Sequence, residues 1–394
     1  MEVRIIKGTK QIGGCITEIT SKKSKIIVDF GEDLDGGEFE LEGLNKGKSI
    51  YDAVFITHSH IDHIGLINTI NNDIDVYVEE KSLLIYKLTC DFCNRQKINR
   101  SVRTFKFEEK IKVKGMTITP YLVDHSAYNS CMFLIEAEDK KILHTGDYRN
   151  HGRKGCLFRK TLEKVGSVDL LITEGTSLSR SSEKYKSEYV LENDLADIMK
   201  KYNQVFFLSS TTNIDRTISL IKASLKTNKK YIMTPFTYHL NEILNLNIII
   251  DYKSIFVWKP ILYKYKSREF KNNYLNIKTS SKFGKKYAME VKTSMIEDIK
   301  LLKNKNLIDK ACLIYSMWDG YKNEENTIEF LEFIKNNNID IFSLHTSGHA
   351  DIDAMKLLNK MVKPKKTLII HTDSSNKNIF DNILEIKDYD IINL

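Results

Sequence analysis

Proline and cysteine are scarce here, and long apolar runs are absent. Only 4 prolines and 18 glycines punctuate 394 residues, of which 42% are hydrophobic, and this balance excludes a disordered or low-complexity chain. Six cysteines, at 15, 90, 93, 131, 156 and 312, are too few and too scattered for a disulfide scaffold, so reduced thiols are expected. No stretch approaches the roughly 18 to 20 apolar residues that a membrane span needs, and the opening MEVRIIKGTKQIGG lacks the apolar segment of a secretory leader. The expected location is the cytoplasm, with no membrane contact. A formal charge of +8, from 60 basic and 52 acidic residues, suits a polyanionic partner. It carries little weight alone, because lysine-rich surfaces also serve solubility.

What is present is a regular alternation of strand and helix signals. EVRIIKG, CITEIT and SKIIVDFGE read as short strands joined by turns at Gly13–Gly14 and SKKSK. AVFIT is a strand, DHIGLINTI opens a helix, VYVEE is a strand and KSLLIYKLTCDFCNRQ a helix. β-signals return over residues 105–150, with EDKK as a hairpin turn. After the strand VDLLITEG, near residue 178, a polar segment leads into a further α/β lobe running to about residue 331. The stretch DIFSLHTSGHADIDAMKLLNKMVKPKKTLIIHTD then resumes strand, helix, strand. No internal repeats or long linkers appear.

Seven of the ten histidines fall in four short segments: His58, His60 and His63 in FITHSHIDHIG, His125 in VDHSAYNS, His345 and His349 in HTSGHAD and His371 in LIIHTD. Each segment follows a strand-like run, where loops bring distant residues together. Alternation along an extended segment puts His58, His60 and Asp62 on one face and lets His63 diverge at the helix start. One segment therefore serves two adjacent metal ions. Imidazole and carboxylate donors without thiolates suit catalytic zinc. Two such ions clamp a phosphoryl or acyl oxygen and generate hydroxide near neutral pH, so hydrolysis of a phosphodiester or ester follows. His58 alone would be an ordinary buried or surface histidine; the dense cluster is not.

HSHIDH resembles the central signature of the metallo-β-lactamase superfamily. That likeness implies His58, His60 and His125 on one zinc, Asp62, His63 and His371 on the other, Asp147 of LHTGDYR bridging them, and Asp29 of IIVDFG buttressing the histidine loop. LLITEGTSLSR and HTSGHAD resemble the acidic and histidine motifs of the β-CASP nucleases, and FLSSTTNIDR and YSMWDGY look like lobe segments of their ribonuclease J-like group. The fold implied is a four-layer αβ/βα sandwich made of residues 1–178 and 332–394, with an α/β β-CASP domain, 179–331, inserted. The resemblance implies a zinc-dependent nuclease, with manganese or magnesium as alternative ions, that cuts single-stranded RNA by a metal-bridged hydroxide. DNA is kept as a second substrate and a homodimer as an allowed state; endonuclease and 5′-exonuclease action are not separated. Asp62, Glu174 and His349 are the expected catalytic residues, with His349 protonating the leaving oxygen and Glu174 orienting it. His345 and Ser347, together with Ser209, Ser210 and Thr211, are the expected phosphate contacts. Ser347 has a plainer reading as cap of the following helix, and the other three as an ordinary strand-to-helix turn.

Full-length ribonuclease J proteins carry a further C-terminal domain, and this sequence ends soon after His371, so a compact stand-alone enzyme is expected. Rival readings are a hydrolase of small lactones or thioesters, which the Glu174 and His349 motifs oppose, and a catalytically silent nucleic-acid-binding subunit, which the full ligand set opposes. Cys90 and Cys93 read as packing thiols and Trp318 as core. LYKYKSREFKNNY, residues 262–274, mixes aromatic and basic residues in the manner of a single-strand contact, though a solvated face is the slightly favoured reading and nucleic-acid contact a secondary one.

Overall fold

Period-two alternation builds the first half of the molecule. In Lys25–Val28, Ile26 and Val28 face one core while Ile27 faces another; in Cys131–Ala137, Phe133 and Ile135 divide in the same way from Met132 and Leu134. Two sheets result. One runs in the order Ile391–Asn393, Glu2–Lys7, Ile16–Thr20, Lys25–Val28, Ala53–Phe55, Asp75–Glu79, Arg103–Phe105; the other runs Lys366–Ile370, Leu170–Glu174, Lys140–His144, Cys131–Ala137, Met116–Leu122, Ile111–Val113. Their inner faces share one buried core, including Val3, Phe55, Phe133, Ile142 and Leu368. The outer face of the first sheet packs against Glu80–Phe92 through Leu83 and Tyr86. That of the second packs against Phe158–Val165 and Ile352–Val362 through Leu162, Met355 and Leu358. Helix, sheet, sheet, helix is the four-layer αβ/βα sandwich.

This computed structural model describes residues 1–180, 184–245, 254–260, 274–275, 284–374 and 378–394. Contacts divide the chain into two units, Met1–Tyr185 with Gly348–Leu394, and Lys186–Ser347. The second unit is a seven-stranded sheet, ordered Tyr274–Leu275, Ile255–Trp258, Lys230–Met233, Tyr287–Val291, Gln204–Ser209, Ala311–Ser316, Asp340–Ser343, and every pairing in it is parallel. Both faces are covered by helices, which explains strands such as VFFL that are apolar without alternation. The chain leaves this unit at Ser347 rather than near residue 331, because Asp340–Ser343 pairs with Ala311–Ser316. Strand and helix continue to alternate across that point, so composition does not mark it.

The EDKK turn is a two-residue hairpin with Glu138 and Asp139 both at positive φ (51° and 56°), the conformation that matches strand twist. Three sequence expectations are corrected. The helix after the histidine cluster is a single turn, Ile61–Ile64, followed by a short 3-10 segment. Trp318 is 47% exposed, with its ring against Tyr321, rather than core. Asp351, not Ser347, caps Ile352–Val362 by accepting from Ala354 N at 2.8 Å. The stretch LYKYKSREFKNNY lies outside the described residues apart from the backbone of Tyr274. No helix among the described residues is long and apolar enough to cross a membrane.

Candidate metal centre

Strand ends in the first unit deliver the histidine-bearing segments to one place. Ala53–Phe55 leads into His58, Met116–Leu122 into His125, Lys140–His144 into Asp147, Leu170–Glu174 ends on Glu174 and Lys366–Ile370 leads into His371. Parallel pairing of Leu170–Glu174 with its neighbours on both sides puts the last three on the same edge.

A single carboxylate oxygen, Asp147 Oδ2, is the centre of the arrangement. Five imidazole nitrogens surround it: His63 Nε2 at 3.3 Å, His349 Nδ1 at 3.5 Å, His371 Nε2 at 3.7 Å, and His58 and His125 Nε2 at 3.9 Å each. Donor atoms fall into groups within 4.8 Å: His58, His60 and His125; Asp62, His63 and His371; His58, His63 and Asp147; and Asp147, Glu174, His349 and His371. Donors about 2.0 to 2.1 Å from a tetrahedral zinc stand about 3.3 Å from one another, so these spacings fit a divalent cation in each of the first two groups. A second observation agrees. His58 Nε2, His63 Nε2 and Asp147 Oδ2 are buried without a hydrogen-bond partner among the described residues, which in a protein interior calls for a ligand.

Alternation along the strand does not decide which donors share a group. Asp62 joins His63 and His371 rather than His58 and His60, because helical geometry starts at Ile61 and ends the period-two pattern at His60.

Each ring is aimed by its other nitrogen. Asp29 accepts from Thr57 N at 2.7 Å, Thr57 Oγ1 at 2.8 Å and His63 Nδ1 at 2.8 Å. With its proton given to Asp29, Thr57 Oγ1 accepts from His58 Nδ1 at 3.0 Å. His125 Nδ1 donates to the Gly348 carbonyl at 2.6 Å, and His371 Nδ1 to Thr176 Oγ1 at 2.8 Å. Four Nε2 atoms are thereby left facing inward, each ring held from behind in the way that supports metal-ligating histidines. Thr57, Thr176 and Gly348 were not singled out from sequence. Thr57 directly precedes His58 and Thr176 lies two residues after Glu174 within the same motif, which is a usable signal; a backbone carbonyl leaves none. Gly31 was missed as well: a Cβ there would overlap the backbone carbonyl of Asp62.

Burial and neighbouring imidazoles push His58 and His125 well below the usual histidine range, and burial takes His60 down to about 4, so these rings are neutral. Burial alone would raise the Asp147 carboxyl, but His371, His63 and His349 outweigh it and hold it ionised. For His349, burial lowers the ring while Glu174 and Asp147 more than compensate, giving about 9. Glu174 is itself a junction. Oε1 accepts from Tyr148 N (3.3 Å) and Ala350 N (3.1 Å), Oε2 accepts from Thr176 N (3.2 Å), and Oε2 stands 3.3 Å from His349 Nδ1. Solvent reaches the cluster at Asp62 (17% exposed) and His349 (22%), while Asp147 is 2% exposed.

Ser209, Ser210, Thr211, His345 and Ser347 belong to the second unit. They follow the carboxyl ends of Gln204–Ser209 and Asp340–Ser343, the edge where parallel sheets take ligands. Ser209 and Ser347 are buried, and Ser210 is exposed with its hydroxyl 3.0 Å from Thr212 Oγ1.

Comparison with known proteins agrees with this architecture. A family model described as the β-lactamase superfamily domain matches residues 25–200. Ribonuclease J of Helicobacter pylori is 23% identical across 94% of this chain, which spans 56% of that protein's length; ribonuclease J of Mycoplasma genitalium is 22% identical across 95% of this chain and 68% of its own. A crystal structure of a protein of unknown function from Enterococcus faecalis V583 matches with a TM-score of 0.81 at 20% identity, covering 99% of both chains. The signature residues, the four-layer sandwich and these likenesses converge: residues 25–200 match the β-lactamase superfamily domain, and nearly the whole chain is similar to ribonuclease J.

Proposed function

We propose that this protein is a metal-dependent phosphodiesterase that hydrolyses single-stranded RNA, with the first unit as the metallo-β-lactamase domain and the second as the β-CASP domain. The observation that carries the proposal is Asp147 Oδ2, a buried carboxylate oxygen shared among five imidazole nitrogens at 3.3 to 3.9 Å, with Glu174 and His349 beside it. His58, His60 and His125 would hold one cation, Asp62, His63 and His371 the other, and Asp147 both; the nitrogen-and-carboxylate set favours zinc over magnesium. Cations bound there supply Lewis acidity toward the phosphoryl oxygens and an activated water.

The protein's own residues do the rest. Asp29, Thr57, Thr176 and the Gly348 carbonyl keep the rings in the ligating tautomer. Glu174 holds His349 at the partly exposed rim, where its ring delivers a proton to the leaving 3′ oxygen. His345 and Ser347, with Ser209, Ser210 and Thr211, bind substrate phosphate. A bound 5′ phosphate sets the register of cleavage, so 5′-exonuclease action is the reading we favour, in the cytoplasm.

The test uses RNAs with 5′-monophosphate, 5′-triphosphate and 5′-hydroxyl ends, labelled at either terminus, beside matched DNA. Mononucleotides released from the 5′ end, fastest for the monophosphate, are expected. Internal fragments indifferent to the 5′ group would replace the exonuclease reading with an endonuclease one. Inactivity on every strand, with hydrolysis of lactone or thioester substrates, would overturn the nuclease assignment.

A further inference from the structure

Asp124 and Arg149 form an ion pair with both side chains at 0% exposure, Arg149 Nε donating to Asp124 Oδ1 at 3.3 Å. They stand next to the centre in sequence on both sides: Asp124 precedes His125, and Arg149 lies two residues after Asp147. The backbones are joined too, as an isolated antiparallel bridge with Arg149 N donating to Asp124 O at 2.7 Å. Asp124 Oδ2 accepts a third bond, from Gly152 N at 2.7 Å. Glycine is required at 152, where a Cβ would overlap Asp124 Oδ1 and crowd the Arg149 guanidinium.

A completely buried ion pair is a poor device for stability alone. Removing both charges from water costs about as much as their attraction returns, and apolar side chains of similar volume do as well or better. What the pair does supply is direction: a planar guanidinium and a carboxylate accept only a narrow range of relative placements. Here that constraint links the loop that ends in His125 to the loop that begins at Asp147, whose donor atoms stand 3.9 Å apart. We propose that Asp124 and Arg149 are positioning residues: their pair clamps the two loops at the spacing that lets His125 and Asp147 share a cation.

This inference rests on the metal-centre reading, and the two fail separately. The variant Asp124→Asn/Arg149→Gln removes both charges of the pair together. Zinc affinity is measured by competition with a chromophoric chelator, and the ligand field by the visible spectrum of the cobalt(II) form. The variant is expected to melt close to the wild type when metal-free, yet to bind zinc about ten- to hundredfold more weakly with an altered cobalt spectrum. A folded variant that binds zinc within twofold of wild type, with an unchanged spectrum, would overturn the clamp and leave the metal centre standing. A wild type that binds no zinc or cobalt would overturn both. A measurement on the wild type covers a variant that does not fold: the Arg149 and Gly152 amides are expected to resist hydrogen exchange in metal-free protein. Free exchange there, with protection only after metal is added, would show that the metal and not the pair sets the loops.

Discussion

The two units place their candidate functional residues alike, at the ends of strands, and use charge in opposite ways. The first unit, which holds the candidate metal centre, is nearly balanced, with 35 Lys and Arg against 34 Asp and Glu; the second has 25 against 18 and so carries most of the net charge. In the first unit the important charges are buried and paired: Asp29 with His63, Asp147 with its imidazoles, Asp124 with Arg149. Chemistry at phosphorus needs donors fixed to within fractions of an ångström, and burial with each ring held through its other nitrogen provides that. Association with a polyanion needs a diffuse positive field, for which surplus surface lysines suffice.

The largest blow to this division is Asp147→Ala, which removes the oxygen common to both cation groups. Hydrolysis is expected to fall by on the order of a thousandfold or more, with metal content reduced and the metal-free fold intact. Full activity in a metal-verified Asp147→Ala protein would place the chemistry elsewhere. His349→Ala separates proton delivery from metal binding: a loss of roughly 10²- to 10⁴-fold in kcat at unchanged metal content is expected, and a matching loss of metal would make His349 a ligand instead. Gly31→Ala tests packing behind the ligands. Its Cβ would displace the Asp62 carbonyl, so a destabilisation of about 1 to 3 kcal/mol with weaker metal binding is expected in thermal melts and metal titrations.

Smaller effects are expected in the second unit. Ser347→Ala should raise KM for 5′-monophosphate RNA roughly tenfold and leave 5′-hydroxyl RNA unaffected, the pattern of lost ground-state binding; equal effects on both would remove Ser347 from phosphate recognition. The smallest concerns acid stability in the first unit. Burial raises the Glu18 carboxyl, but Arg4, Tyr51 and Lys25 outweigh it and hold it below its ordinary value. A carboxyl depressed in the folded state stabilises above its unfolded pKa of about 4.3 and loses that contribution as pH falls through the folded value. Wild type should therefore lose melting temperature below about pH 4 more steeply than Glu18→Gln, and parallel melting curves would exclude Glu18 as a source of acid lability.

Legibility differed between fold and site for one physical reason. Strands of the first unit that are covered on both faces, such as the one holding Ile26, Ile27 and Val28, are apolar without a break, and only the structure assigns these residues to two cores. Strands of the second unit are apolar on both faces, so VFFLS and CLIYS show burial but neither order nor boundary. The donor types were readable because histidine and aspartate are rare enough to stand out when clustered. Trp318 was misread because an aromatic side chain in an apolar context looks like core whether or not it is covered.

By itself, the sequence showed alternating strands and helices, a further α/β lobe and the donor types, because periodicity and side-chain chemistry are local properties, and its motifs carried the family likeness that implied the sandwich. Tertiary structure decided which donors stand together: Asp62 with His63 and His371, Gly348 behind His125, Asp124 against Arg149. Those relations link residues as much as 309 positions apart, and several run through backbone carbonyls and amides that every residue carries. Only folding, which brings particular strand ends to one edge, gives such groups an identity.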